Sequence, residues 1–229
     1  MLIYPLQTYK SNAKLADFYK RQSTSFNIAH RRGSVKIAAI DDEPFSPQTS
    51  LKAFGYNIDH IGDIKSVSEI KDYPIVLCDL MGVGIHFDKS SQGATIIREI
   101  KKNYPAIIVV AYTGSSLGSL QARAAKDYAD AVIKKDADNS EWSSTLDGLL
   151  DQALDPHAVW KRIRASLVAA DVDTIDLVVL EDAYVHAILS RDSSFTRLSA
   201  AVKDRGLSGD ARSIVQGIIS SAIFKLIVG

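Results

Sequence analysis

Five short runs rich in β-branched residues recur between residues 35 and 134: VKIAAI (35–40), YNIDHI (56–61), PIVLCD (74–79), AIIVVAY (106–112) and DAVIK (130–134). Helix-capable stretches separate them. Ser46-Pro47 is a helix-start pair and Gly55 a stop. ATIIREIKKNYP places Ile96, Ile97 and Ile100 on one face and ends at a proline, and SLQARAAKDY and SEWSSTLDGLLDQAL supply two more helices. Strands that alternate with helices favour a parallel sheet, because parallel neighbours need long crossovers and a helix provides one while covering a sheet face. The pattern predicts an α/β fold, a doubly wound five-stranded parallel sheet, over residues 35–154.

The flanks differ from this pattern. Residues 1–34 are mixed and polar, read as an N-terminal arm with a short helix around Lys14 to Arg21 and a basic tether, HRRGS. After Asp155-Pro156 the strand signals stop, and residues 155–229 read as an all-α C-terminal region of four helices. In the last of these, DARSIVQGIISSAIFKLIV, the residues Ile214, Ile218, Ala222 and Leu226 fall on one face, a stripe that must pack on something.

Charge and cysteine usage narrow the function classes. Lys and Arg total 27 and Asp and Glu total 27, which removes the electrostatic case for a nucleic-acid or membrane-surface protein as a whole. The only cysteine, Cys78, lies inside an apolar run, so neither a disulfide frame nor a zinc cluster is available. No leader pattern or bilayer-length apolar segment is visible, and a cytoplasmic protein is expected.

In open parallel sheets, sites form at the carboxyl ends of strands. Strand one runs into Asp41-Asp42-Glu43, strand three into Asp79, strand four into Thr113-Gly114 and strand five into Lys134-Lys135. Any one of these is an ordinary polar residue where a strand meets solvent; together they suit phosphoryl transfer to a carboxylate. Asp79 would attack and form an aspartyl phosphate. Crowded carboxylates call for a hard cation with oxygen ligands, and Mg2+ suits, with Asp41, Asp42, Asp79 and the Met81 backbone carbonyl as its expected protein contacts. Lys135 and Thr113 would meet the charge that spreads over the transferring oxygens.

These motifs, AAIDDE, IVLCDLMG, VVAYTG and AVIKKD, occur in the order and spacing found in the receiver domain of two-component response regulators, which residues 35–154 resemble. The resemblance implies Asp79 as phosphoacceptor, Asp41 and Asp42 as magnesium ligands, and Thr113 and Lys135, rather than Lys134, as readers of the phosphoryl group. It also implies a histidine kinase or phosphotransfer protein as donor, and catalysis limited to the chain's own phosphorylation and dephosphorylation. Three departures stand out. Asp136 follows the lysine where receivers usually carry proline, Val132 replaces an aromatic residue, and the loop after Asp79 is long and carries His86, Asp88 and Lys89.

For the output, 151–229 has no excess of Lys and Arg over Asp and Glu, and a helix-turn-helix reading of LSAAVKDRGLSGDARSIVQGII leaves only Arg212 near the start of the recognition helix. DNA binding is therefore not expected, and docking or homodimerisation through the C-terminal helices is. His157 and His186 sit in no phosphorelay pattern. Rival readings are a degenerate receiver acting as a phosphorylation-independent scaffold, a DNA-binding regulator, and a phosphatase. The last normally wants a second carboxylate where this chain has Met81.

Overall fold

A computed structural model of the chain describes residues 11–23, 28–207 and 209–228. Strands β1 (Lys36–Ile40), β2 (Asn57–His60), β3 (Ile75–Asp79), β4 (Ile108–Thr113) and β5 (Ala131–Lys134) form one sheet in the order β2-β1-β3-β4-β5, with every pairing parallel. The expected doubly wound α/β sheet is present, and the expected helical region follows it.

Because side chains alternate along a strand, the two sheet faces have separate cores. Ile37, Ala39, Leu77 and Val110 point to one face, covered by α3 (Gln48–Ala53) and α6 (Asn139–Leu154). Ala38, Ile40, Val76, Cys78, Val109 and Ala111 point to the other, covered by α4 (Gly93–Asn103) and α5 (Leu120–Lys126). Cys78 is fully buried, as its apolar setting predicts.

The second core does not end at its own helices. It runs on without interruption into α7 (Pro156–Ala169), α8 (Thr174–Ser190), α9 (Thr196–Asp204), α10 (Gly209–Ser220) and α11 (Ala222–Val228). Asp155 starts α7 as expected, its carboxylate accepting the His157 N–H at 2.9 Å with Pro156 in the first turn. Trp160 stacks on Tyr184 at 5.0 Å, and Tyr184 and Phe195 both meet Phe224 edge-on. Helix α10 packs on α4, where a Cβ at Gly217 would lie 2.9 Å from the Asn103 carbonyl oxygen. Among the described residues no helix is long and apolar enough to cross a membrane.

Two expectations need correction. The last predicted helix is two helices, broken at Ser220-Ser221. The Ser221 hydroxyl and its N–H both turn to the Ile218 carbonyl at 3.0 Å, so local hydroxyl bonding competes with the helical ladder. The break resets the helical phase, and α11 buries Ile223, Phe224 and Ile227 while Ala222 and Leu226 are half-buried. The basic tether, in turn, is helix α2 (Ile28–Ser34), docked on α6. Arg32 grips Asp147 with two hydrogen bonds, 2.9 and 2.6 Å, and Arg31 pairs with Asp151. The Arg32 guanidinium also lies 4.7 Å over the Tyr56 ring, whose hydroxyl donates to Asp147 at 2.7 Å. Helix α1 (Ala13–Ser23), the short helix expected there, packs on α7 and α8 and buries Leu15. The rest of the predicted arm, 1–10 and 24–27, lies outside the described residues.

Burial raises the Asp147 carboxyl, but the bonds from Arg32 and Tyr56 outweigh it and hold the group below the usual carboxylate range. A depressed carboxyl contributes stability in full above its unfolded pKa of about 3.9, and loses it as pH falls through the lower folded value. Arg32→Ala is expected to destabilise the protein by about 1–2 kcal/mol at pH 7. Denaturant unfolding at a series of pH values should show the gap from wild type narrowing in acid to what the Tyr56 ring contact and the bond to the Phe54 carbonyl leave; a gap that does not narrow contradicts this account.

Candidate functional site

The chain leaves β1 toward β2 on one side and leaves β3 toward β4 on the other, so the strand order reverses between β1 and β3 and opens a crevice at their carboxyl ends. Ile40 pairs with Cys78, which sets the next residues, Asp41 and Asp79, side by side. Alternation then decides which neighbours join them. Asp79 is two residues past Leu77 and Lys135 two past Ile133, so both face the α3 and α6 side, as does Asp41 two past Ala39. Lys135 extends the ladder by donating its N–H to the Thr113 carbonyl at 2.9 Å. Lys134 points the other way, and its amine reaches the Ser115 carbonyl at 3.0 Å.

The Lys135 amine lies 2.9 Å from Asp79 Oδ2 and 3.0 Å from Asp41 Oδ2. It draws together two carboxylates that are 0% and 5% exposed as residues, while its own side chain keeps 20% of its surface open to solvent. Burial alone would lower the amine's pKa; its hydrogen bonds to Asp79 and Asp41 raise it overall and hold it protonated. Burial also raises the Asp79 carboxyl, against the Lys135 and Met81 N–H hydrogen bonds that lower it. The Lys135–Asp136 peptide is trans, as are all those described, and the missing proline does not keep Lys135 from the carboxylates.

Tyr112 was not singled out from the sequence. Its hydroxyl donates to Asp41 Oδ2 at 2.8 Å, while the Glu43 N–H donates to Oδ1 at 3.0 Å. Period-two alternation on β4 and the pairing of Asp79 with Tyr112 could have found it. Its ring sits 5.2 Å from Phe45 and 5.9 Å from Trp142. Burial, then the Asp41 charge, push its phenol far up, so the hydroxyl remains a donor.

The remaining expected residues are placed less centrally. Asp42 is exposed and its carboxylate lies against Gly82, which has φ 83°. Met81 donates its N–H to Asp79 Oδ1 at 3.2 Å, with its side chain exposed. Thr113 is fully buried, and its hydroxyl accepts the Ser115 N–H at 3.0 Å rather than bonding to Asp79 or Lys135. Val132 is half-buried against the opposite core. In the long loop, His86 contacts Phe87 and the Lys65 carbonyl, and Asp88 caps the turn through the Ser90 and Ser91 N–H groups.

Residues 92 and 93, not anticipated, support Asp79 from below. Gln92 has φ 46° and accepts the Gly82 N–H at 2.9 Å, and a Cβ at Gly93 would overlap the Asp79 carbonyl oxygen. As a place for a divalent ion, Asp41 and Asp79 offer hard oxygens that converge on one cation, the lysine amine, and this donor chemistry fits. Among the described residues no three His, Cys, Asp or Glu side chains gather closely enough to hold a metal, and Asp42 stands outside the pair.

No protein-family model matches the sequence, and no curated protein does. Among solved structures, the chain is similar over about half its length to response-regulator receiver domains. A CheY-like receiver domain protein of Methanospirillum hungatei JF-1 is 18% identical, with 52% of this chain and 94% of that one covered and a TM-score of 0.41. TrrA of Thermotoga maritima, solved in complex with Mg(2+)-BeF, is 22% identical, with 50% and 98% covered and a TM-score of 0.37. RcsB of Salmonella enterica serovar Typhimurium, bound to the promoter rprA with phosphomimetic BeF3-, is 18% identical, with 52% and 98% covered and a TM-score of 0.39. The likeness is one of fold, and the chemistry of this site rests on its own residues.

The support beneath Asp79 is testable by one substitution made in two places. Gly93→Ala must displace backbone and should destabilise the protein by about 3 kcal/mol. Gly148→Ala, on the exposed face of α6 with open space around it, should stabilise it by about 0.5–1 kcal/mol. Equal effects of the two in chemical denaturation would contradict the packing described.

Proposed function

We propose that the chain is a phosphoacceptor signalling protein whose acceptor is Asp79. The observation that carries this reading is the Lys135 amine within 3.0 Å of both Asp41 and Asp79, three groups brought from separate strand ends to a solvent-facing crevice. Charge-balanced clusters can also be merely structural. This one lies at the strand-order reversal, and its lysine is accessible from outside.

In the proposed reaction an Asp79 carboxylate oxygen attacks the phosphorus of a donor, a phosphohistidine or a small acyl phosphate. The new O–P bond forms as the donor's N–P or O–P bond breaks, and the leaving atom keeps the electron pair. Lys135 turns from the carboxylates to the incoming phosphoryl oxygens, where its charge offsets theirs. Thr113, whose hydroxyl is held by Ser115, needs a rotamer change to join it. Asp41, Asp42, Asp79 and the Met81 carbonyl would hold Mg2+, which would supply positive charge to offset that of the phosphoryl group. The donor is a histidine kinase or phosphotransfer protein, and the site acts only on its own aspartate, in its formation and in its hydrolysis.

The C-terminal helices carry the output by docking a partner or a second copy of the chain. In α10, the former candidate recognition helix, Ala211, Ile214, Val215 and Ile218 are buried, and Arg212 is the one exposed basic side chain among the described residues. This geometry disfavours DNA binding. A scaffold that needs no phosphate is the second reading, favoured by Val132 and by Lys135 already satisfying both carboxylates.

Incubation with magnesium and acetyl phosphate should add the mass of one phosphoryl group, and Asp79→Asn should abolish the addition. Lys135→Ala should slow it by about 10²-fold or more. An intact-mass measurement with no change in the wild type would eliminate the phosphoacceptor reading in favour of the scaffold.

A further inference from the structure

We infer that Tyr112 is a positioning residue for the magnesium site, holding Asp41 in place once Lys135 has turned away. The inference rests on the phosphoacceptor reading and adds to it a residue on the opposite face of β4 from Thr113.

Asp41 has three donors. Two of them are fixed: the Glu43 N–H on Oδ1 and the Tyr112 hydroxyl on Oδ2. The third, the Lys135 amine, ends a flexible four-carbon stem and has to leave if it is to meet a phosphoryl group. A buried carboxylate that loses its cation needs its remaining hydrogen bonds to stay aimed. Tyr112 is suited to supply one, because its orientation is set from outside the site. Its ring is wedged between Phe45 at 5.2 Å and Trp142 at 5.9 Å, and those two meet each other edge-on at 5.5 Å. The hydroxyl carries a single hydrogen; its two acceptors are Asp41 Oδ2 at 2.8 Å and the Ile40 carbonyl at 3.3 Å, and the shorter, charged one is favoured.

The same ring ties the site to α6. Trp142 is fully buried on that helix, its indole nitrogen has no hydrogen-bond partner among the described residues, and its ring meets the Tyr112 ring at 5.9 Å, which places it to report on the site by its emission. The other tryptophan, Trp160, lies in the C-terminal region against Tyr184. Trp160→Phe therefore leaves Trp142 as the only indole reporter.

In that background, titration with MgCl2 should give a saturable change in Trp142 emission. Adding Tyr112→Phe, which keeps the ring and removes the hydroxyl, should raise the magnesium midpoint about tenfold or more, with the folded fraction at the assay temperature unchanged by circular dichroism. Calorimetric titration of both proteins with MgCl2 reads the same affinity without the fluorophore. As a control, the Trp160→Phe parent should match the unaltered chain in calorimetric affinity within about twofold, since Trp160 lies against Tyr184, away from the site. Unchanged or tighter binding in Tyr112→Phe overturns the inference while the phosphoacceptor reading stands; so does a weakening matched by partial unfolding. A parent protein with no magnesium response by either method overturns the metal-assisted reading itself and this inference with it.

Discussion

Two buried carboxylates at neighbouring strand ends repel each other, and one amine answers both. Like charges about 4 Å apart in a protein-like dielectric repel by roughly 4 kcal/mol, a large part of the ~5–15 kcal/mol by which a domain is stable. Asp41 and Asp79 are tolerated because Lys135 reaches them from β5, two strands from β3. The sheet order and registers, and the one-residue extension of β5 beyond Lys134, all serve that approach. Removing the lysine would leave two uncompensated charges, which is why such pairs are far costlier to break than they are favourable to form.

The two sheet faces divide the work. The α3 and α6 face carries Asp41, Asp79, Lys135 and the ring cluster of Phe45, Tyr112 and Trp142, and its outer surface is gripped by Arg31 and Arg32 of α2. On the opposite face, α4 and α5 share one apolar core with α7 to α11, so the C-terminal helices are an extension of the sheet's packing instead of a separately cored appendage. A chain with equal numbers of acidic and basic residues spends several of them on intramolecular pairs, Asp147 with Arg32, Asp151 with Arg31 and, between α8 and the end of α9, Asp176 with Arg205.

Much of this was legible in the residues. The β-branched runs mark all five strands within two residues of their observed ends; β1, β3 and β4 are buried on both faces and read as near-continuous apolar runs, while the edge strands β2 and β5 bury only Ile58 and Ile133. Alternation allows only one of Lys134 and Lys135 to face the site, and the motif spacing of the receiver resemblance points to Lys135. What was hidden depends on tertiary placement. HRRGS reads as a solvated tether until Asp147 and Asp151 are seen one helical turn apart on α6. A continuous apolar stripe masks the break at Ser220-Ser221, since hydrophobic periodicity is blind to hydroxyls that turn back on the backbone. Thr113 arrives at the right strand end, yet its hydroxyl bonds to its own loop. Tyr112 looks like one more core aromatic until the register sets it beside Asp79.

Helix α4 has close contacts at both ends. Gly93, its first residue, is pressed on the Asp79 backbone, and its last, Asn103, meets α10 where Gly217 leaves no room for a methyl group. Eleven residues of α-helix make a strut about 16 Å long, too stiff to absorb a small push by bending. Any movement of the Asp79 backbone would press on one end of this stiff element, and the surface at its other end belongs to the C-terminal bundle.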